Sequence, residues 1–240
     1  MKYELASVVL PAFRQANYLE PLLRGFEEAL DTLPIPHETV IVLNGPDDGS
    51  LEISQELARE LKSLRILRLE RAGWGGAVRA GLEASNGDLL CYTNSARTGA
   101  ETLALLLDLA IALPGIVIKA NRKTRDSVWR HLGSLLYNLE CRSLFDLSNF
   151  DINGTPKVFP RANHRLLALQ RDDDLIDLEF LAICRQEGYL VLEAPVSVTK
   201  RQGGVSTTNL LSAFRMYAGA MLLSRDLPIQ GRPPIPVRPR

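Results

Sequence analysis

Residues 7–61 read SVVLPAFRQANYLEPLLRGFEEALDTLPIPHETVIVLNGPDDGSLEISQELAREL, and this stretch decides the fold class. Positions 7–10 and 39–43 are short apolar, β-branched runs, whereas 17–30 and 51–61 repeat apolar residues at helical spacing. A strand without polar alternation is buried on both faces, and a helix following each strand supplies the cover. The pattern predicts an α/β fold with a mainly parallel central sheet flanked by helices. It continues through a strand at 65–69, a helix at 75–84, a strand at 89–92, a helix at 101–112 and a strand at 115–118. In such a sheet, ligands bind at the carboxyl ends of the strands.

Beyond Lys119 the rhythm changes. The sequence predicts a basic loop to Arg130, a helix to about 145, an irregular piece at 151–160, a helix at 175–187 and two short strands at 190–193 and 196–199. A helix over 209–224 places Leu210, Leu211, Phe214, Tyr217, Met221 and Leu222 on one side, read as packing against the domain. Residues 1–226 read as one domain, and 227–240, with five prolines, as an extended or disordered tail.

The 28 Lys and Arg of this 240-residue chain balance 28 Asp and Glu, which argues against a nucleic-acid binder acting through broad phosphate neutralisation. The balance hides an asymmetry: residues 1–110 hold 10 basic and 16 acidic side chains, and the remainder is correspondingly basic. Cys91, Cys141 and Cys184 lie far apart in apolar contexts, as in a reduced cytoplasmic protein. No signal peptide is read at the start, and charges or prolines interrupt the most apolar runs before they reach the length of a membrane span.

His37, His131 and His164 are scattered, and neither a zinc-protease motif, a nucleophile elbow nor a phosphate-loop lysine motif occurs. Gly73-Trp74-Gly75-Gly76 opens a helix, where backbone amides favour a phosphate.

Four segments in fixed order carry more: Ser7-Val-Val-Leu-Pro-Ala-Phe13, Val40-Ile-Val-Leu-Asn-Gly-Pro-Asp-Asp-Gly-Ser50, Arg71-Ala-Gly-Trp-Gly-Gly-Ala-Val-Arg-Ala-Gly81 and Asn86-Gly-Asp-Leu-Leu-Cys-Tyr92. Asp151-Ile-Asn-Gly-Thr-Pro-Lys-Val-Phe-Pro-Arg161 and Lys200-Arg-Gln-Gly-Gly-Val-Ser206 follow. Together they resemble glycosyltransferase family 2, with its nucleotide-sugar-dependent GT-A fold, and most closely its polyprenol-phosphate, dolichol-phosphate mannose synthase-like branch. The resemblance implies a nucleotide-diphospho-sugar donor held by Pro11, Ala12, Phe13, Arg14, Gln15, Leu43, Asn44, Gly73, Gly75, Thr93, Asn94 and Ser95. It implies an anionic or polyprenyl-phosphate acceptor held by Arg122, Arg125, Arg130, Arg201 and Ser206.

The departures from that family are concentrated. Arg14-Gln15 stand where Asn-Glu is usual, Leu43-Asn44 replace two aspartates, and Thr93-Asn94-Ser95 replace the metal-binding Asp-x-Asp. Divalent magnesium and manganese need anionic oxygen ligands, so no metal site and no cofactor are expected. Arg14 and Arg97 become the candidates for diphosphate charge, with Asn94 and Arg97 the candidate catalytic pair. Two readings stay open at this point: inverting, metal-independent transfer at the inner face of the membrane, with peripheral membrane contact, and a catalytically silent GT-A domain binding nucleotide, lipid phosphate or a protein. A homodimer is left open too.

Overall fold

The computed structural model describes residues 2–122, 128–197 and 210–227. Seven strands form one sheet in the order β3-β2-β1-β4-β6-β5-β7. The first four are β1 (Ala6–Ala12), β2 (His37–Asn44), β3 (Leu64–Leu69) and β4 (Leu89–Tyr92), and all pair in parallel. The helices that connect them are α1 (Ala16–Leu30), α2 (Ser50–Glu60) and α3 (Trp74–Ala84). Then follow α4 (Ala100–Ala112), β5 (Val117–Arg122), α5 (Val128–Phe145), β6 (Lys157–Pro160), α6 (Ile176–Glu187), β7 (Val191–Val196) and α7 (Leu210–Asp226).

All seven residues of β1 are buried, as a strand covered on both faces requires. Its alternate residues feed two cores: Val8 and Leu10 pack with α1 and α4, while Val9 packs with α3 and the layer formed by α5, α6 and α7. Pro11 is tolerated in this central strand because the N–H it lacks would face the side where β4 has already ended, the side on which its carbonyl accepts from Ser95. Helix α3 lies so close to the sheet that a Cβ at Gly81 would sit 2.2 Å from Val9 Cγ1.

Three expectations are corrected. The piece around 151–160 contains β6, which runs antiparallel between β4 and β5. The two strands expected after α6 are one, β7, with Pro195 inside it; residues 198 and 199 lie outside the described residues. Strand β5 extends to Arg122, so Lys119 and Arg122 belong to the sheet rather than to a loop. On α7, Ala220 and Leu223 are buried, whereas Met221 and Leu222 are more than half exposed. The tail from 228 onward lies outside the described residues.

Candidate active site

Strand order reverses between β1 and β4, since β1 leads outward to β2 and β3 while β4 lies on its other side. The crevice at this switch point is where a doubly wound sheet offers backbone and side chains to a ligand. Here the segment Pro11 to Gln15 leaves β1 beside the turn Thr93 to Arg97 that leaves β4. Ser95 Oγ donates to the Pro11 carbonyl at 2.9 Å and touches the Gln15 side-chain amide. Thr93 and Thr98 share a hydrogen bond of 2.7 Å, and Asn94 Oδ1 accepts from the Ala96 amide at 3.0 Å. Asn94 and Arg97 are half-buried in this turn, and the Arg97 amide donates to the Asn94 carbonyl.

At the end of β2, Asn44 is a brace: Nδ2 donates to the Ala12 carbonyl and Oδ1 accepts from the Gly73 amide at 2.9 Å. Beside it an open cleft is lined by Ala12, Arg14, Leu43, Asn44, Asp47 and Arg68. Arg14 has a left-handed backbone with φ of 51° and stacks on the Phe13 ring, 5.3 Å from its centroid. The structure thus brings Pro11, Ala12, Arg14, Gln15, Leu43, Asn44, Thr93, Asn94 and Ser95 to one edge of the sheet.

The glycine turn behaves differently from the phosphate cradle expected of it. Residues 171–173 lie across the start of α3, where the Gly76 amide donates to the Asp172 carbonyl and a Cβ at Gly75 would meet the Arg171 carbonyl at 2.4 Å. With the Gly73 amide held by Asn44, two donors of this turn are already spent, and Gly75 serves close backbone packing.

Sequence reasoning missed a buried ionic layer beneath the crevice. Lys119 and Lys157 face each other across β5 and β6, and both side chains are fully buried. Asp177, from the first turn of α6, pairs with Lys157 and accepts from Tyr92 Oη at 2.9 Å and Trp74 Nε1 at 3.2 Å. It therefore ties β6, the last residue of β4 and the first of α3 together. Burial pulls the Lys157 ammonium down to about 8, with Asp177 opposing the fall. All three Lys119 donors are used, on Glu193 and on the carbonyls of Ala120 and Asp151. A signal was available for Lys119, which interrupts the otherwise apolar run Ile116 to Ala120.

Neither Asp177 nor Glu179, both in the first turn of α6, makes a side-chain cap to that helix. Glu179 instead accepts the amides of Gln170 and Arg171, holding the segment that covers α3. Arg122, expected to bind an acceptor phosphate, has Nε and Nη2 engaged by Asp151 at 2.7 and 2.8 Å, leaving one amino group for any anion. Arg125, Arg201 and Ser206 lie outside the described residues, as does the side chain of Arg130.

The strand order with its single reversed strand, and the crevice at β1 and β4, define a GT-A-type α/β domain. Glucosyl-3-phosphoglycerate synthase from Mycobacterium tuberculosis, solved with Mn²⁺, UDP and phosphoglyceric acid, matches with a TM-score of 0.69 at 15% identity, over 95% of this chain and 81% of that one. A mannosyltransferase from Pyrobaculum calidifontis, solved with GDP-Man and Mn²⁺, matches with a TM-score of 0.61 at 16% identity, over 98% of this chain and 67% of that one. The chain belongs to glycosyl transferase family 2, whose profile matches residues 7–139. An undecaprenyl-phosphate 4-deoxy-4-formamido-L-arabinose transferase from Pseudomonas paraeruginosa is 31% identical over 139 residues, 57% of this chain and 41% of the relative. Glycosyltransferase AglD from Haloferax volcanii is 38% identical over 89 residues, 36% of this chain and 14% of the relative. The chain thus covers less than half the length of these curated relatives.

The Mn²⁺ of these solved neighbours finds no matching donor set at the end of β4. Thr93, Asn94 and Ser95 offer neutral oxygens, each already hydrogen-bonded within the protein. Among the described residues, no group of three metal-ligating side chains gathers there. Neutral hydroxyl and amide oxygens alone do not fit a hard divalent cation.

Proposed function

We propose that this protein transfers a sugar from a nucleotide-diphospho-sugar to a polyprenyl phosphate or a similar lipid-linked anion, at the inner face of the membrane. The observation that carries the acceptor class is an exposed apolar surface on α5 and α7, with a basic stretch preceding α5 in the sequence. Leu135, Leu136 and Leu139 of α5 are each at least half exposed, as are Met221 and Leu222 of α7, and the two helices pack through Tyr137 and Tyr217. Immediately before α5 the sequence carries Arg122, Lys123 and Arg125, with Arg130 in its first turn. An exposed apolar helix face in a stretch of sequence rich in cations suits an interface of anionic lipid. Among the described residues no helix is long and apolar enough to cross a membrane, so contact of this kind is peripheral. The similarity to an undecaprenyl-phosphate transferase supports the same acceptor.

The donor occupies the crevice, its nucleoside in the cleft beside Leu43 and Arg68 and its diphosphate toward Arg14 and Arg97. An acceptor phosphate oxygen attacks the anomeric carbon as the bond to the nucleoside diphosphate breaks, with inversion. A phosphate monoester is anionic at neutral pH and needs no general base, which fits a turn after β4, Thr93 to Arg97, that carries no carboxylate. Guanidinium groups take the charge that develops on the leaving diphosphate.

The test is to supply purified chain with undecaprenyl phosphate in anionic vesicles and with UDP-, GDP-, CDP- and dTDP-sugars, in chelator, and to follow labelled sugar into lipid. Transfer from one donor class is expected, and Arg97→Ala should lower turnover by about 100-fold, the scale of one lost charge-stabilising donor. Nucleotide binding without transfer would favour the silent domain, the reading to which the self-bonded turn at Thr93 to Ser95 also lends itself.

A further inference from the structure

The sheet ends in two edges of different character. Strand β3 carries the exposed Arg65 and Arg68, charges of one sign that keep an edge from pairing with its own copy. Strand β7 has no such guard. Its one charged side chain, Glu193, is 12% exposed and paired with Lys119, while Leu190 and Leu192 stand 57% and 40% exposed.

The backbone groups of β7 can be followed residue by residue. The Val117 amide donates to the Leu190 carbonyl, and the register sets Val117 against Val191. In a parallel ladder Leu190, Leu192, Ala194 and Val196 therefore turn their backbone groups toward β5, and Val191, Glu193 and Pro195 turn theirs outward. Among the described residues no strand pairs with that outer side. The outward row is closed at both ends, because Pro195 has no amide hydrogen and the Tyr189 amide is spent on the Cys184 carbonyl. What remains is the N–H and C=O of Val191 and of Glu193, placed symmetrically about Leu192.

That arrangement complements itself. A two-fold axis at Leu192 runs two copies of β7 antiparallel and sets Val191 of each against Glu193 of the other. Each such pair exchanges two hydrogen bonds, so every remaining outward group on both strands is satisfied. Leu192 then faces its own copy and Leu190 lies opposite Ala194, on the face where Ala194 and Val196 already join the core of α1 and α4. The charge at the seam is balanced, since each Glu193 keeps its own Lys119. A lipid surface would cover the leucines and leave the backbone groups without partners, so a second strand is the occupant that this edge fits. We propose that the chain forms a two-fold dimer through the outer edge of β7, joining two sheets into one. The inference rests on the sheet alone and is independent of the proposed activity.

The experiment follows the full chain by sedimentation equilibrium up to about 300 µM, where a monomer–dimer equilibrium with Kd of about 10–100 µM is expected for so small an interface. Leu192→Lys sets like charges across the axis and should raise the Kd by about tenfold or more, whereas Leu105→Lys, at a more exposed leucine on α4, should leave it unchanged. Leu192→Cys should give a disulfide-linked dimer on mild oxidation, because facing β-carbons come within reach of a bridge. Val191→Cys should not, because its own copy lies on the diagonal. Cys91, Cys141 and Cys184 are buried, so the background is low. The Val191 and Glu193 amides should exchange with solvent in dilute protein and gain protection as concentration rises. Three results overturn the proposal. A monomer at about 300 µM that yields no disulfide removes the dimer. A dimer that survives Leu192→Lys and gives no disulfide at position 192 belongs to another surface. Protection of both amides in dilute protein, independent of concentration, means that the chain covers its own edge.

Discussion

The turn that leaves β4 and the layer of β5 and β6 beneath it handle charge in opposite ways. Thr93, Asn94 and Ser95 are tied to Thr98, Ala96 and Pro11 through neutral hydrogen bonds, in a fold whose neighbours were solved with Mn²⁺. A few residues away, Asp177, Asp151 and Glu193 are committed to Lys157, Arg122 and Lys119. These carboxylates act as counterions for cations that would otherwise be stranded in a low-dielectric interior. The difference teaches that carboxylates close to a crevice in the chain's topology do not by themselves make a metal site. What matters is whether a lysine or arginine has already claimed them.

Breaking the charged layer should have the largest effect. Asp177→Asn leaves Lys157 buried with no counterion and loosens Tyr92 and Trp74, and should cost about 3–5 kcal/mol in urea unfolding. A loss below about 1 kcal/mol would mean that Lys157 is neutral in the native state and that the contrast with the crevice is false.

A smaller effect is expected at Glu38, another nearly buried carboxylate, located at the other end of the sheet. Burial pushes its pKa up, but the Asn86 amide, Ser7 and Arg65 outweigh this and hold it below the ordinary value. A lowered carboxylate stabilises the fold above its unfolded pKa, and that contribution fades as pH falls through the folded value. Glu38→Gln should therefore be less stable than wild type by about 1 kcal/mol at pH 7, with the gap closing below pH 4.5. A gap that widens in acid would reverse the sign of the argument.

The smallest effect tests the neutral side of the comparison. Replacing chelator by Mn²⁺ should change the nucleoside diphosphate affinity by less than about twofold, because neutral, self-bonded oxygens add little to a cation's shell. A tenfold gain would show that a carboxylate reaches the crevice once nucleotide is bound.

The first half of the fold was legible because β1, β4 and the centre of β2 are apolar runs and β1 to β4 are each followed by a helix of clear period. Strand β6 was not, since four residues beginning with Lys157 and ending with Pro160 resemble a turn when read without their partners. Pro195 broke β7 in two for the same reason. The sequence places Lys119 at the start of a basic loop because lysine is so seldom buried, and only tertiary contact reveals the carboxylate that takes it in. At the site, order and spacing located Pro11, Asn44 and Asn94 on one edge. They did not reveal that Asn44 joins two strand ends to a helix, or that residues 171–173 lie across the glycine turn, because both contacts join distant segments.

Strand β6 also sets an order of events for the chain as it folds. Strands β1 to β4 come from residues 6–92 and are joined by one helix each, so their pairings close over modest distances. The next pairing sets Cys91 against Val158, 67 positions on, and β5 can join the sheet only through β6. Contacts so remote in sequence lose chain entropy before they gain anything, and they slow the approach to the native state. The four-stranded half is thus placed to nucleate, and the ionic layer forms last. Substitutions in β1 and β2 then act mainly on the folding rate, and those at Lys157 or Asp177 mainly on how fast the finished protein comes apart.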